Sequence, residues 1–125
     1  METNCPFCNA PTTREIIAKS EVGIAFYDGF PVSPGHMLIT PYRHVSSYFD
    51  LSTEEQNALW ALVNQCKDIV QAAYKPDGFN IGVNVNESAG QSIFHVHIHL
   101  IPRYSGDVPN PRGGVRGVIP SKQNY

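Results

Sequence analysis

The residue pattern predicts an α+β domain: an antiparallel sheet of about five strands, one long helix and an extended C-terminal tail. Three observations carry this. Only the segment from Ser52 to Pro76 repeats apolar residues at helical spacing. Five runs rich in β-branched and aromatic residues flank it, without the strand–helix–strand alternation of a parallel sheet. Beyond Pro102 the periodicity fades into Pro and Gly. A chain of 125 residues has room for a single core, so residues 1–125 are read as one domain.

Taken in order, Cys5-Pro6-Phe7-Cys8-Asn9-Ala10-Pro11 opens the chain as a turn. Strands are expected over Arg14 to Ser20, Gly23 to Tyr27 and His36 to Pro41, with Asp28-Gly29-Phe30-Pro31 and Ser33-Pro34-Gly35 as breaks. Ser52 followed by Glu55 is a capping-box signature for the helix. Leu59, Leu62, Val63, Cys66, Ile69, Val70 and Ala73 form its buried stripe, flanked by Trp60 and Tyr74. Two more strands follow, Phe79 to Val85 and Ile93 to Ile101, joined by the polar loop Asn86 to Ser92.

The bulk numbers narrow the function. Hydrophobic content of 42% and charged content of 16% fit a globular domain, and a net charge of −2 argues against non-specific nucleic-acid binding. No apolar run reaches the roughly 18 residues of a membrane span, and the N-terminus lacks a secretory pattern. The expected location is therefore the cytoplasm. In that reducing setting the Cys5–Cys8 pair reads as a metal site and not as a disulfide.

Three of the five histidines lie in Phe94-His95-Val96-His97-Ile98-His99-Leu100-Ile101. On a strand His95, His97 and His99 share one face, while Phe94, Val96, Ile98 and Leu100 turn to the core. A row of imidazoles serves no packing purpose that Val or Thr would not serve better. Imidazole binds zinc, and near neutral pH it acts as nucleophile, acid or base.

His95-Val96-His97-Ile98-His99-Leu100-Ile101 resembles the signature of the histidine triad (HIT) nucleotide hydrolases and transferases. Ala25-Phe26-Tyr27-Asp28, Pro34 through Pro41, Arg43-His44 and Asn84 through Ser92 extend the resemblance over roughly Cys5 to Pro102. It implies a HIT-like fold and a small-molecule nucleotide substrate attacked at its α-phosphorus by His97. Hydrolysis then proceeds through a nucleotidyl-histidine intermediate. His99 is implied to bind phosphate oxygens, where an imidazolium would stabilise accumulating charge. Gln91 and Ser92 match donors near the leaving group. Asn84 matches a polar site position, Asp28 the acceptor of ribose hydroxyls, and Phe26 a wall of the base pocket.

Zinc takes four N or S ligands, and with no second Cys pair the remaining two must be histidines. In the zinc-containing branch of that family they match His44 and His95, beside Cys5 and Cys8. Residues 1–11 are thus the expected zinc-binding turn. Cys66 reads as a buried hydrophobe, and His36 as strand packing.

Residues 103–125 carry Arg103, Arg112, Arg116 and Lys122 against Asp107, a net +3. The three arginines are candidates for wrapping a polyphosphate, with Mg²⁺ accompanying that substrate as a second compatible cofactor. Ile101-Pro102-Arg103-Tyr104-Ser105-Gly106-Asp107 resembles the dinucleoside polyphosphate branch and points to diadenosine polyphosphates. Cleavage of nucleoside phosphoramidates and non-catalytic nucleotide binding are the alternatives. The resemblance also implies a homodimer, with Trp60 as a contact. No nucleic-acid or membrane partner is expected.

Overall fold

A computed structural model describes residues 4–125; the first three residues of the expected zinc-binding turn lie outside the described residues. The elements are α1 (Ala10–Thr13), β1 (Ala18–Lys19), β2 (Gly23–Tyr27), β3 (Met37–Pro41), α2 (Thr53–Tyr74), β4 (Gly78–Val83) and β5 (Ile98–Arg103). The strands form a five-stranded sheet in the order β1-β2-β3-β5-β4, every pair antiparallel. This is the predicted α+β architecture.

The ends of α2 follow from its sequence. The Ser52 hydroxyl accepts the Glu55 N–H at 3.1 Å and the Glu55 carboxylate accepts the Ser52 N–H at 2.9 Å, closing the capping box. Arg43 grips the same carboxylate at 2.7 Å and holds its pKa down to about 2. Leu59, Leu62, Val63, Cys66 and Val70 are buried against Ala25, Met37, Ile39, Ile98 and Leu100 of the sheet and against Val96 just before β5. Burying five such side chains contributes on the order of 1.5–3 kcal/mol each before conformational entropy is subtracted. Ala73 lies outside that stripe, exposed on the last turn.

At one end of the opposite sheet face Cys5, Phe7, Cys8 and Ala10 pack on Ile24, Phe26 and Leu38. The rest of that face, over β5 and β4, carries the polar residues considered below and is approached at β4 by the tail turn Gly114–Val118.

Three expected elements differ. The first strand shrinks to Ala18–Lys19: α1 ends at Thr13, and Arg14 to Ile17 run as a bend and irregular chain before the ladder begins. The last begins at Ile98 and not Ile93: the Val96 N–H donates to Val45 at 2.8 Å, away from the sheet ladder. The tail is not simply extended, since it contains 3₁₀ turns at Gly114–Val118 and Pro120–Lys122.

Candidate functional site

Each imidazole of the triad has one ring nitrogen tied to a partner, and those partners fix the tautomers. The predicted common strand face holds only in part, because His95 and His97 precede β5. His95 is fully buried. Its Nε2–H donates to the Pro41 carbonyl at 2.8 Å, so Nδ1 presents a lone pair. That nitrogen lies 3.4 Å from Cys5 Sγ, 3.5 Å from Cys8 Sγ and 3.2 Å from His44 Nδ1, with Cys8 Sγ 3.2 Å from His44 Nδ1.

These four residues could hold a metal ion. Zinc with bonds of about 2.3 Å to sulfur and 2.0–2.1 Å to nitrogen sets tetrahedral edges of about 3.6 and 3.3 Å. The separations match, the donors are of the preferred type, and the Pro41 carbonyl supplies the outer hydrogen bond that orients a ligating histidine. The structure thus brings together the four residues that the sequence assigned to zinc.

His97 is 8% exposed and its Nδ1–H donates to the His95 carbonyl at 2.8 Å. Nε2 is left as the unprotonated nitrogen. Burial lowers the His97 pKa below the ordinary value, which keeps the ring neutral at pH 7. Phe7, carried between the two cysteines, packs edge-on against this ring with centroids 4.9 Å apart.

His99 takes the opposite tautomer. The Val32 N–H donates to His36 Nδ1 at 3.1 Å, so His36 carries its proton on Nε2 and donates to His99 Nδ1 at 3.0 Å. His99 therefore holds its own proton on Nε2, as a donor to whatever occupies the hollows it lines. Burial, then the neighbouring His97 and His36 rings, push its pKa down to about 4. The imidazolium expected from the sequence is therefore a neutral N–H donor. Asp28 sits 3.5 Å from His36 Nε2. Asp28, His36 and His99 are close enough to share a metal ion. The His36 tautomer opposes it, because binding through Nε2 would leave an imidazolate.

Sequence reasoning missed His36, as it missed Phe7, Arg14 and Phe30 at the hollow. His36 precedes β3 and lies outside the alternating run; only the register, which pairs Leu38 with His99, brings it alongside.

A hollow of about 380 Å³ opens beside His97 and His99, lined also by Phe7, Arg14, Asp28, Phe30, Asn84 and Ser92. Asp28 Oδ1 accepts the Phe30 N–H at 2.9 Å to close its turn, and the residue also lines the hollow. Two expectations do not survive. Phe26 is 0% exposed, behind Phe7 and under the Arg14 guanidinium, so it supports the wall without lining it. Gln91 is buried with both ends engaged: Oε1 accepts the Asn86 N–H at 2.9 Å, and Nε2 donates to the Ser46 and Ile93 carbonyls at 2.8 and 3.2 Å. It braces the 84–92 loop, having no donor left for phosphate.

The tail arginines lie elsewhere. Arg103 is forked onto Asp107 at 2.8 Å and reaches Asn80 at 2.6 Å. Arg116 donates to the Lys122 and Gln123 carbonyls, and Arg112 and Arg116 both stack on Tyr125. None lines the hollow beside His97.

Comparison with known proteins agrees with this geometry. Residues 10–106 match the HIT domain model. The AP-4-A phosphorylase of Mycobacterium tuberculosis is 34% identical over 107 residues, covering 82% of this chain and 55% of that protein. The bis(5'-adenosyl)-triphosphatase of Dictyostelium discoideum is 36% identical over 96 residues, covering 77% and 64%. The chain thus spans between about half and two thirds of the length of these two relatives. A HIT family protein from Bacillus anthracis superposes with a TM-score of 0.79 at 34% identity, covering 86% of this chain and 78% of that one. Fold, histidine geometry and family match converge: this chain belongs to the HIT domain family.

Proposed function

We propose that the protein hydrolyses a nucleotide at its α-phosphate through a covalent intermediate on His97, with dinucleoside polyphosphates as substrates. The observation that carries this is the His97 tautomer, with Nδ1–H tied to the His95 carbonyl and Nε2 bare at the wall of the hollow. Nε2 attacks the α-phosphorus. A P–N bond forms while the P–O bond to the remaining polyphosphate breaks, its electron pair leaving on that oxygen. The positive charge that grows on the imidazole is stabilised through Nδ1–H by the carbonyl dipole. Water then displaces the imidazole from phosphorus and its proton passes to solvent, which restores neutral His97.

The His99 Nε2–H donates to a phosphate oxygen without the cost of charging a buried ring. Asp28 accepts the ribose hydroxyls, and Asn84 and Ser92 supply neutral donors. Zinc at Cys5, Cys8, His44 and His95 would crosslink the N-terminal turn to the sheet and so hold Phe7 against His97. The names of the two relatives above support the choice of substrate. Protein quenched during turnover of diadenosine tetraphosphate should carry an adenylyl group on His97 by mass spectrometry. Turnover with the adduct on another residue, or with none, contradicts the mechanism.

A further inference from the structure

A second hollow, of about 430 Å³, lies on the other side of His99. That size falls in the range of about 300–1,000 Å³ typical of small-molecule sites. His99 and Asn84 line both hollows, so the two form one trough with His99 at its saddle. β4 and β5 form the floor of this half, and the 3₁₀ turn Gly114–Val118 forms its far wall.

The chemistry of the two halves differs. The second is walled by Val32, Ile101, Val115 and Val118, with no Lys or Arg among its lining residues. Val32, Val115 and Val118 are 71%, 60% and 77% exposed, an apolar rim that the chain itself leaves uncovered. The turn is held in place. Gly113 has φ +88°, and a Cβ there would fall 1.9 Å from the Gln123 carbonyl oxygen. The Arg116 guanidinium clamps the Lys122 carbonyl at 2.8 Å from the same side. The wall also carries one oriented amide. Asn80 Oδ1 accepts from Arg103, which turns its NH₂ group toward Gly114, 3.4 Å from where a Cβ of that glycine would stand. An apolar slot with an oriented amide in its wall suits a flat heteroaromatic ring, whereas a phosphate chain needs cations or clustered N–H groups.

We infer that the hollow beneath the 114–118 turn receives the base of the leaving nucleotide, with the phosphate chain crossing the trough at His99 and Asn84. This rests on the hydrolase reading above and adds a specificity site for the second half of the substrate. The tail thereby selects for an aromatic leaving group and not for phosphate-chain length.

The test compares diadenosine tetraphosphate with adenosine 5'-phosphoramidate, which share the adenylyl half and differ only in what leaves. Val115→Asp and Val118→Asp alter exposed side chains and leave the core untouched. Each should raise KM for the tetraphosphate at least tenfold, while kcat/KM for the phosphoramidate stays within twofold. Binding of ATP, the leaving product, should weaken by a similar factor, and AMP binding should not. Equal losses on both substrates, or no loss on either, overturn the inference. So does a change from dimer to monomer on sedimentation with both activities falling together, because the rim would then be covered by a second copy. Wild-type protein that turns over neither substrate and forms no His97 adduct overturns the hydrolase reading itself and this inference with it.

Discussion

At His95 the imidazole gives Nε2–H to the Pro41 carbonyl and turns Nδ1 toward two thiols; at His97 it gives Nδ1–H to the His95 carbonyl and turns Nε2 toward an open hollow. Both rings are buried, and burial depresses both pKa values. Burial therefore does not separate a ligand from a nucleophile here. What separates them is which nitrogen a main-chain carbonyl claims, and what the other one then faces. His99 is a third case, since it accepts at Nδ1 from a histidine and is left a donor.

The largest expected effect comes from breaking the nucleophile alone. His97→Ala should lower kcat by at least about a thousandfold, as removal of a covalent nucleophile does elsewhere, with metal content and nucleotide binding near wild type. Cys5→Ser should do the reverse. It should lose the metal and lower Tm by more than about 10 °C, because ligand binding free energy is folding free energy at such a site. Its activity should fall less than that of His97→Ala, through displacement of Phe7. Metal analysis, calorimetry and turnover on the same two proteins decide whether the two halves separate. A Cys5→Ser protein with unchanged metal and Tm would assign the thiols another purpose.

A smaller effect is expected at His36. His36→Leu removes the donor that holds the His99 tautomer and should lower kcat about tenfold with little change in KM. His36→Gln, whose amide can place an N–H near the lost Nε2–H, should recover part of that rate. Nitrogen NMR should find His99 protonated on Nε2 in wild type and a mixture of tautomers in His36→Leu. Equal loss in both variants would make His36 a packing residue.

The pH dependence follows from the same burial. With the folded pKa of His99 at about 4 and that of His97 also lowered, the unfolded chain binds more protons between the ordinary histidine value near 6.5 and those folded values. Stability should therefore fall as pH drops below about 6.5. The acid limb of kcat/KM should lie below 6.5 as well. A limb centred at or above 6.5 would show that the reactive rings are not depressed.

Much of this was legible in the residues. The Ser52–Glu55 pair and the Leu59–Val70 stripe placed α2, and the apolar runs placed β2 and β3. Cys5, Cys8, His44 and His95, the metal set that the cysteine pair and the family resemblance imply, come together in the fold. What escaped depended on long-range register or on local competition. Of the expected first strand only Ala18–Lys19 joined the ladder, and Val45 captured the Val96 N–H and delayed β5. Gln91 has the composition of a phosphate donor, yet the Asn86, Ser46 and Ile93 backbone consumes every polar atom it offers. Nothing in a sequence reveals that a donor is already occupied.

The smallest expected effect lies in the tail arginines, where composition and geometry pull apart. Their charge and spacing read as a polyphosphate clamp. In the fold Arg116 is spent on the Lys122 and Gln123 carbonyls and, with Arg112, on the Tyr125 ring. To reach a phosphate chain they would have to release those partners. Changing both to Gln should therefore loosen the 114–118 turn and raise KM for diadenosine tetraphosphate only a few fold, leaving the phosphoramidate unaffected. The two roles differ most clearly in salt. Direct phosphate contacts weaken as the Debye length contracts from about 10 Å at 0.1 M to about 3 Å at 1 M, and the wild-type preference for the longer polyanion would shrink with them. Bracing through carbonyls and a ring is screened far less. The ratio of the two kcat/KM values should thus stay nearly flat with ionic strength in wild type and keep the same slope in the double variant. A steep slope that the double variant abolishes would restore the arginines as phosphate ligands and move the selectivity of the tail from the base to the phosphate chain.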